Sequence, residues 1–305
     1  MSIGIFDSGV GGLSILRVIH ATYPDQDLIY VADSGYAPYG DRAPEAVIER
    51  SKTVMRFLLA QNVQAVVVAC NTASVLARAT LRAMSDIPVI AMEPAIKPAA
   101  LGSKRRVVGV LATRNTVSNP AVQRLCQLYG QDVKILLQPC PGLADQVERG
   151  DLQSTALLER YLRPLLDAGA DRIVLGCTHY LFLLPLIEAI VGPDVVVVES
   201  SAAIARQLGV KMGLAVPEAG LGPRPVSGLG FAPASGSGAA SGLGSGLNLR
   251  SAFRPAPSPQ GAGSLRAYTS ATNLQQAQRL IQTLWASPVA LPVHPLPTLS
   301  DTGEA

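Results

Sequence analysis

Residues 65–72 read AVVVACNT and residues 172–179 read RIVLGCTH. Each is a short, almost unbroken apolar run rich in β-branched side chains, closed by a cysteine and a polar pair: Asn71-Thr72 in one, Thr178-His179 in the other. Side chains alternate between the two faces of a strand, so a run without polar members must be covered on both sides. Such runs are the inner strands of parallel sheets. Helical patterns begin near Ala73 and Tyr180, which places each cysteine at a strand-to-helix junction. Ligands of open α/β sheets bind outside the carboxyl ends of the strands, where helix N-termini offer free N–H groups and positive partial charge. Two thiols in equivalent places predict a two-sided reaction centre.

The rest of the chain repeats the alternation. A strand over 3–6 runs into the turn Asp7-Ser8-Gly9-Val10-Gly11-Gly12 and a helix. A strand over 28–32 runs into a polar loop over 33–42 and a helix over 44–61. Further strands are expected at 89–91, 107–111, 133–137 and 195–198, and helices at 119–129, 143–149, 155–168, 181–191 and 201–209. Strands alternating with helices place the chain in the α/β fold class with mainly parallel sheets. The pattern loosens over 92–95, a crossing point between two similar domains, and a cleft between them would set the thiols face to face. Residues 217–264 consist mostly of Gly, Ser, Ala and Pro, without lysine or aspartate, and are expected to be a disordered insertion. A strand over 265–270 and a helix over 273–285 follow, and then a proline-rich tail, 288–305, expected to be unstructured.

With 305 residues, 48% of them apolar, the chain can fill two cores of ordinary size. Its formal charge is +3 and it has no basic block longer than Lys104-Arg105-Arg106, so nucleic acid is not the expected partner. Four cysteines without a Cys-x-x-Cys pair fit a reducing compartment. No leader pattern opens the chain and no apolar run approaches membrane-spanning length, so a cytoplasmic protein without a membrane partner is expected. Cys177 and His179 could join Cys70 around zinc, but Cys-x-His is not a customary zinc spacing, and His20 and His294 offer no closing cluster. None of Lys52, Lys97, Lys104, Lys134 and Lys211 ends a strand beside a glycine-rich phosphate loop, as a pyridoxal site would require. The expectation is a site with neither cofactor nor metal.

A cysteine ending a buried strand is ordinarily a small core residue, and Cys126 and Cys140 are read that way. The matched contexts of Cys70 and Cys177 point instead to chemistry. A thiol whose pKa is lowered at a helix N-terminus can cycle between base and acid near neutrality. One thiol deprotonating a carbon on one face while the other protonates the opposite face inverts a stereocentre. Asp7 and His179 are the natural partners for these thiols. Glu148 is a third candidate, although a glutamate ending a helix is ordinarily solvated. The Asp7–Gly12 turn fits either an anion-binding loop or a plain strand-to-helix turn, and the loop over 33–42 fits either function or turn chemistry.

Phe6-Asp7-Ser8-Gly9-Val10-Gly11-Gly12, Ala37-Pro38-Tyr39-Gly40, Ala69-Cys70-Asn71-Thr72-Ala73 and Gly176-Cys177-Thr178-His179-Tyr180 closely resemble, in order and spacing, the motifs of the glutamate racemases in the cofactor-independent aspartate/glutamate racemase superfamily. The resemblance implies two pseudo-symmetric three-layer α/β/α domains with the active site between them. The implied division is 1–96 with 265–287 as the first domain and 97–209 as the second. It further implies interconversion of L- and D-glutamate for peptidoglycan synthesis. Cys70 would take the α-proton of D-glutamate and Cys177 that of L-glutamate, with Asp7 assisting Cys70, His179 assisting Cys177, and Glu148 in the same network. Substrate contacts fall on Asp7, Ser8, Tyr39, Gly40, Asn71, Thr72, Thr178 and His179. A homodimer is expected, and contact with DNA gyrase is suggested only by similarity to some members. Two alternatives remain: an aspartate or related amino-acid racemase, and a non-catalytic binding role on the same fold. The 217–264 insertion departs from the family's compact connection.

Overall fold

The computed structural model describes residues 1–215, 263–287 and 289–297. The first half runs β1 (Ser2–Asp7), α1 (Leu13–Thr22), β2 (Asp27–Ala32), α2 (Pro44–Ala60), β3 (Ala65–Val68), α3 (Asn71–Ala83) and β4 (Val89–Ala91). The second runs α4 (Ile96–Gly102), β5 (Val107–Ala112), α5 (Arg114–Ser118), α6 (Pro120–Tyr129), β6 (Lys134–Pro139), α7 (Leu143–Glu148), α8 (Ala156–Asp167), β7 (Arg172–Gly176), α9 (Leu184–Val191) and β8 (Val196–Val198). Then come α10 (Ser201–Met212), β9 (Leu265–Thr269), α11 (Leu274–Trp285) and β10 (Val293–Pro295).

The strands form two sheets, ordered β10-β9-β2-β1-β3-β4 and β6-β5-β7-β8. Every neighbouring pair is parallel. The segments β2-β1-β3-β4 and β6-β5-β7-β8 follow one order, so the strands carrying the two cysteines, β3 and β7, hold corresponding places. The α/β architecture with two parallel sheets follows the expectation.

The alternation of side chains explains why the strands are apolar throughout. Ile3, Ile5 and Val67 belong to a core shared with Leu16 of α1, Leu208 of α10 and Ile281 of α11. Phe6, Val66 and Val68 belong to another, shared with Val54 of α2 and Ala77 of α3. In the second sheet Val108, Val110 and Val174 pack with Ile96 of α4 and Val122 of α6. On its other face Leu111, Ile173 and Leu175 pack with Leu162 of α8 and Ile187 of α9. Each sheet is thus covered on both faces, a three-layer arrangement. The chain passes between the sheets at 92–95 and again at 199–201, and the Ser200 hydroxyl joins the two crossings by donating to Glu93 O at 2.9 Å.

Two sequence expectations need correction, and one element is additional. The helix expected over 119–129 is α6, while the short α5 before it was not expected; Pro120, without an N–H, cannot continue α5, and Asn119 caps the new start by accepting from the N–H of Ala121 at 2.9 Å. The helix expected from 181 begins at Leu184, and a 3-10 turn, Thr178–Leu183, precedes it. Pro185 explains this: without an N–H it suits the first turn of α9 but not the interior of a longer helix. The tail expected to be unstructured contains β10, which pairs with β9 at the sheet edge, where prolines are tolerated. Leu291 and Val293 are buried there, and the Trp285 indole donates to Val289 O at 2.8 Å. The insertion expected at 217–264 lies, up to residue 262, outside the described residues. Among the described residues no helix is long and apolar enough to cross a membrane.

Placing a carboxylate beneath the edge strand tests the docked tail. Val293→Asp should lower unfolding stability by about 2–4 kcal/mol in urea titration, as expected for an unpaired charge in a core. An unchanged midpoint would show that residues 289–297 contribute nothing to the fold.

Candidate active site

The carboxyl ends of β1, β3, β5 and β7 converge on one narrow cleft. From the first sheet side it is lined by Ser8, Pro38, Tyr39, Gly40, Cys70, Asn71 and Thr72. Thr113, Ala144, Cys177, Thr178 and His179 line the other side. Both thiols therefore face the same space, one from each sheet. All four cysteines are free thiols.

The two thiols stand in different surroundings. Cys70 caps α3: its Sγ accepts the N–H of Ala73 at 3.4 Å and donates to Ser8 Oγ at 3.6 Å. The Ser8 hydroxyl donates to Asp7 Oδ1 at 2.9 Å, so Asp7 reaches Cys70 through Ser8 rather than by touching it. The helix N-terminus was expected to lower this thiol's pKa. Instead burial, with the Asp7 charge next in weight, pushes it up to about 12, and the Ala73 N–H only moderates the rise. Cys177 caps no helix, since a 3-10 turn follows it, and its Sγ lies 3.7 Å from His179 Nδ1. His179 Nε2 lies 2.6 Å from Glu148 Oε1. Burial opposes charge on His179, but the hydrogen bonds to Cys177 and Glu148 outweigh it and hold the imidazole well above its ordinary range.

Glu148, the third candidate, for which an ordinary solvated helix end was the bland reading, has a side chain only 15% exposed. It is also anchored from the first half, where the N–H of Val10 donates to Glu148 Oε1 at 2.8 Å. The turn that does this needs its glycines. A Cβ on Gly9 would overlap the Glu148 carboxylate, and one on Gly11 would overlap His179 Nδ1 and Thr178 Oγ1. Asp7 bridges the halves as well: the Thr178 hydroxyl donates to its Oδ2 at 2.7 Å, and the N–H of Gly9 donates to its Oδ1 at 3.0 Å. Burial pushes the Asp7 carboxyl up, opposed by the His179 charge and by these donors. Asp7 and Glu148 do not line the cleft; they stand behind Ser8, Thr178 and His179.

Asn71, Thr72, Gly40 and Tyr39 line the cleft, but the Tyr39 hydroxyl is turned away, donating to Asp33 Oδ2 at 2.6 Å. Fully buried Asp33 is held by Arg50 at 2.7 Å and 3.1 Å, and the Arg50 guanidinium lies 3.7 Å from the centre of the Tyr36 ring. Thr113 bonds Thr72 at 2.9 Å across the cleft and donates to Thr116 Oγ1 at 2.9 Å. Neither Asp33 nor Thr113 was singled out from sequence. Both directly follow the carboxyl end of a strand, the place where Ser8 and Cys177 sit, and that position was the available signal. Cys140 is buried with its S–H directed to Gln138 O at 3.3 Å, and Cys126 is half-buried on α6, both in keeping with structural roles. Among the described residues no group of three or more His, Cys, Asp and Glu side chains is arranged to hold a metal ion.

The chain as a whole has known relatives. The sequence profile of Asp/Glu/hydantoin racemases matches residues 12–208. The chain belongs to this family. A glutamate racemase of Methylococcus capsulatus is 52% identical over 209 residues, covering 68% of this chain and 77% of that protein. One of Pseudomonas aeruginosa is 46% identical over 211 residues, covering 68% and 80%. In three dimensions the Escherichia coli glutamate racemase, solved with L-glutamate and the activator UDP-MurNAc-Ala, superposes with a TM-score of 0.74 at 26% identity over 98% of this chain and 99% of that one. The parallel two-sheet fold is therefore that of the family's glutamate racemases.

A thiol held protonated by burial has a simple signature. In the unliganded protein, alkylation of Cys70, followed by mass spectrometry of its peptide, should accelerate about tenfold per unit from about pH 7 to about pH 10, because the thiolate fraction is still rising. A plateau near pH 8 would mean that the helix N-terminus, not burial, controls this thiol.

Proposed function

We propose that the chain is a glutamate racemase that interconverts L- and D-glutamate through two opposed thiols. The observation that carries this reading is that Cys70 and Cys177, from corresponding strands of two sheets, line one cleft, each with its own proton relay.

In the L-to-D direction Cys177 thiolate removes the α-proton. The electron pair of the broken carbon–hydrogen bond stays on the α-carbon, delocalised into the carboxylate, and Cys70 delivers its proton to the opposite face. The reverse direction exchanges the roles. On one side His179 stores and returns the Cys177 proton, while Glu148 stabilises the imidazolium and fixes the ring by holding Nε2. On the other side a proton leaves Cys70 by two hops: the S–H proton passes to Ser8 Oγ as the Ser8 hydroxyl proton passes to Asp7 Oδ1.

The walls suit a zwitterionic diacid. The Oδ1 of Asn71 is buried without a hydrogen-bond partner and offers an acceptor to the α-ammonium. The Thr72 hydroxyl, now paired with Thr113, is the wall hydroxyl free to turn and donate to a carboxylate, since those of Ser8 and Thr178 are committed to Asp7 and that of Thr113 to Thr116. A cation entering beside Asp7 and Cys70 opposes the burial that holds this thiol protonated. The small cleft keeps bulk water from the carbanion and strengthens every contact to it. By family resemblance, the D-glutamate would feed peptidoglycan synthesis in the cytoplasm, with the enzyme acting as a homodimer.

Optical rotation of purified enzyme with each enantiomer of glutamate and of aspartate, no cofactor added, tests the reading. Both glutamate enantiomers should decay to the racemate and aspartate should not. Cys70→Ala and Cys177→Ala should each lower turnover at least about a thousandfold, since each removes an acid–base group from one face. Racemisation of aspartate alone would move the substrate assignment, and activity surviving either cysteine change would remove the two-thiol mechanism.

A further inference from the structure

Tyr30 lies on β2, beside Ile5 of β1, on the face of the sheet shared with Asp7. It is fully buried, which is costly for a phenol unless the hydroxyl is satisfied. The hydroxyl donates to Gly9 O at 2.7 Å. That carbonyl belongs to the Gly9–Val10 peptide, whose N–H donates at 2.8 Å to Glu148 Oε1, the oxygen that faces His179. One rigid peptide unit therefore has a phenol at one end and the relay carboxylate at the other. The remaining polar group of Gly9, its N–H, is held by Asp7 Oδ1. The Gly9–Val10 peptide plane is thus fixed at both ends, and loss of the phenol would leave only its bond to Glu148. Gly12 shares the constraint, because a Cβ there would approach the Tyr30 hydroxyl to 3.0 Å. Burial, together with the charges of Asp7 and Glu148, holds the phenol well above its ordinary pKa, so it stays a donor.

We propose that Tyr30 is a positioning residue for the Cys177 side of the reaction: from the Cys70 half of the molecule it orients the Gly9–Val10 peptide, which holds Glu148 against His179. The inference rests on the two-thiol reading above. It predicts a defect weighted to the Cys177 side, since the phenol holds directly the peptide that anchors Glu148 and touches the Asp7–Ser8 relay only indirectly, through the Gly9 N–H.

Primary deuterium isotope effects on kcat/KM, measured with α-deuterated L-glutamate and α-deuterated D-glutamate, read that selectivity. For Tyr30→Phe, kcat/KM should fall about tenfold in both directions alike, the loss of one buried hydrogen bond, because the equilibrium between enantiomers fixes the ratio of the two values. The isotope effect should rise with L-glutamate, where proton removal by Cys177 becomes more limiting. It should fall with D-glutamate, where removal by Cys70 becomes less so. In a Glu148→Gln background the same change should cost less than about twofold more. Lower activity with both isotope effects unchanged, or a full further tenfold loss in that background, would overturn the proposal. Should Tyr30→Phe fail to fold, Gly9→Ala, whose Cβ displaces Glu148 from the same peptide, must give the same pair of shifts, and their absence would overturn it equally. If Cys70→Ala or Cys177→Ala retains turnover, the two-thiol reading falls and this inference with it. If both are inactive while Tyr30→Phe leaves the isotope effects alone, only this inference falls.

Discussion

The Asp7 carboxylate is the joint between the two halves of the cleft. One oxygen accepts from Ser8 and Gly9 in the first half, the other from Thr178 in the second, and the side chain is completely buried. A carboxylate without water is tolerable only if donors replace its hydration, and here every donor belongs to a segment that also shapes the site. Ser8 continues to Cys70, Gly9 opens the turn that anchors Glu148, and Thr178 lies between Cys177 and His179. Displacing Asp7 would disturb both relays at once. Burial nonetheless pushes its carboxyl up, which leaves it able to take a proton from the Ser8 side.

A nearly symmetric scaffold supports an asymmetric pair of acids and bases. β3 and β7 hold corresponding places in their sheets, yet α3 starts directly after Cys70 while Pro185 delays α9 and leaves a 3-10 turn after Cys177. One thiol is consequently a helix cap backed by a hydroxyl and a carboxylate. The other faces an imidazole backed by a carboxylate. The substrate is itself chiral, so mirror-image surroundings are not required. What matters is that each face of the α-carbon meets a thiol with somewhere to send its proton.

The parallel sheets were legible because runs such as 65–69 and 172–176 leave a strand no solvent-facing side. Asp7, Ser8, Cys70, Cys177 and His179 were legible for a related reason: they sit at or just past strand ends, where α/β folds bind ligands. Glu148 was legible only as a candidate set against an ordinary solvated reading, since its anchoring depends on a turn 138 residues away in sequence supplying the Val10 N–H. Buried Asp33 and partly exposed Arg50 make a pair whose members look like ordinary loop and helix residues until the fold brings them together. The tail over 289–297 was misjudged because its prolines hide the apolar positions Leu291 and Val293, which an edge strand can still bury. The Cys70 thiol was misjudged because the N-terminal helix effect is local and readable, whereas burial that outweighs it belongs to the assembled cleft.

The central claim is that two different thiols serve the two faces of one carbon, and hydrogen exchange during the first turnovers tests it most directly. With L-glutamate in deuterium oxide, sampled by mass spectrometry while little product has formed, D-glutamate should carry α-deuterium and the remaining L-glutamate should keep its α-protium. The proton taken by Cys177 does not return from the same face as a deuteron. Deuterium appearing equally in substrate and product would mean that a single exchangeable group serves both faces, and the two-thiol account would be wrong.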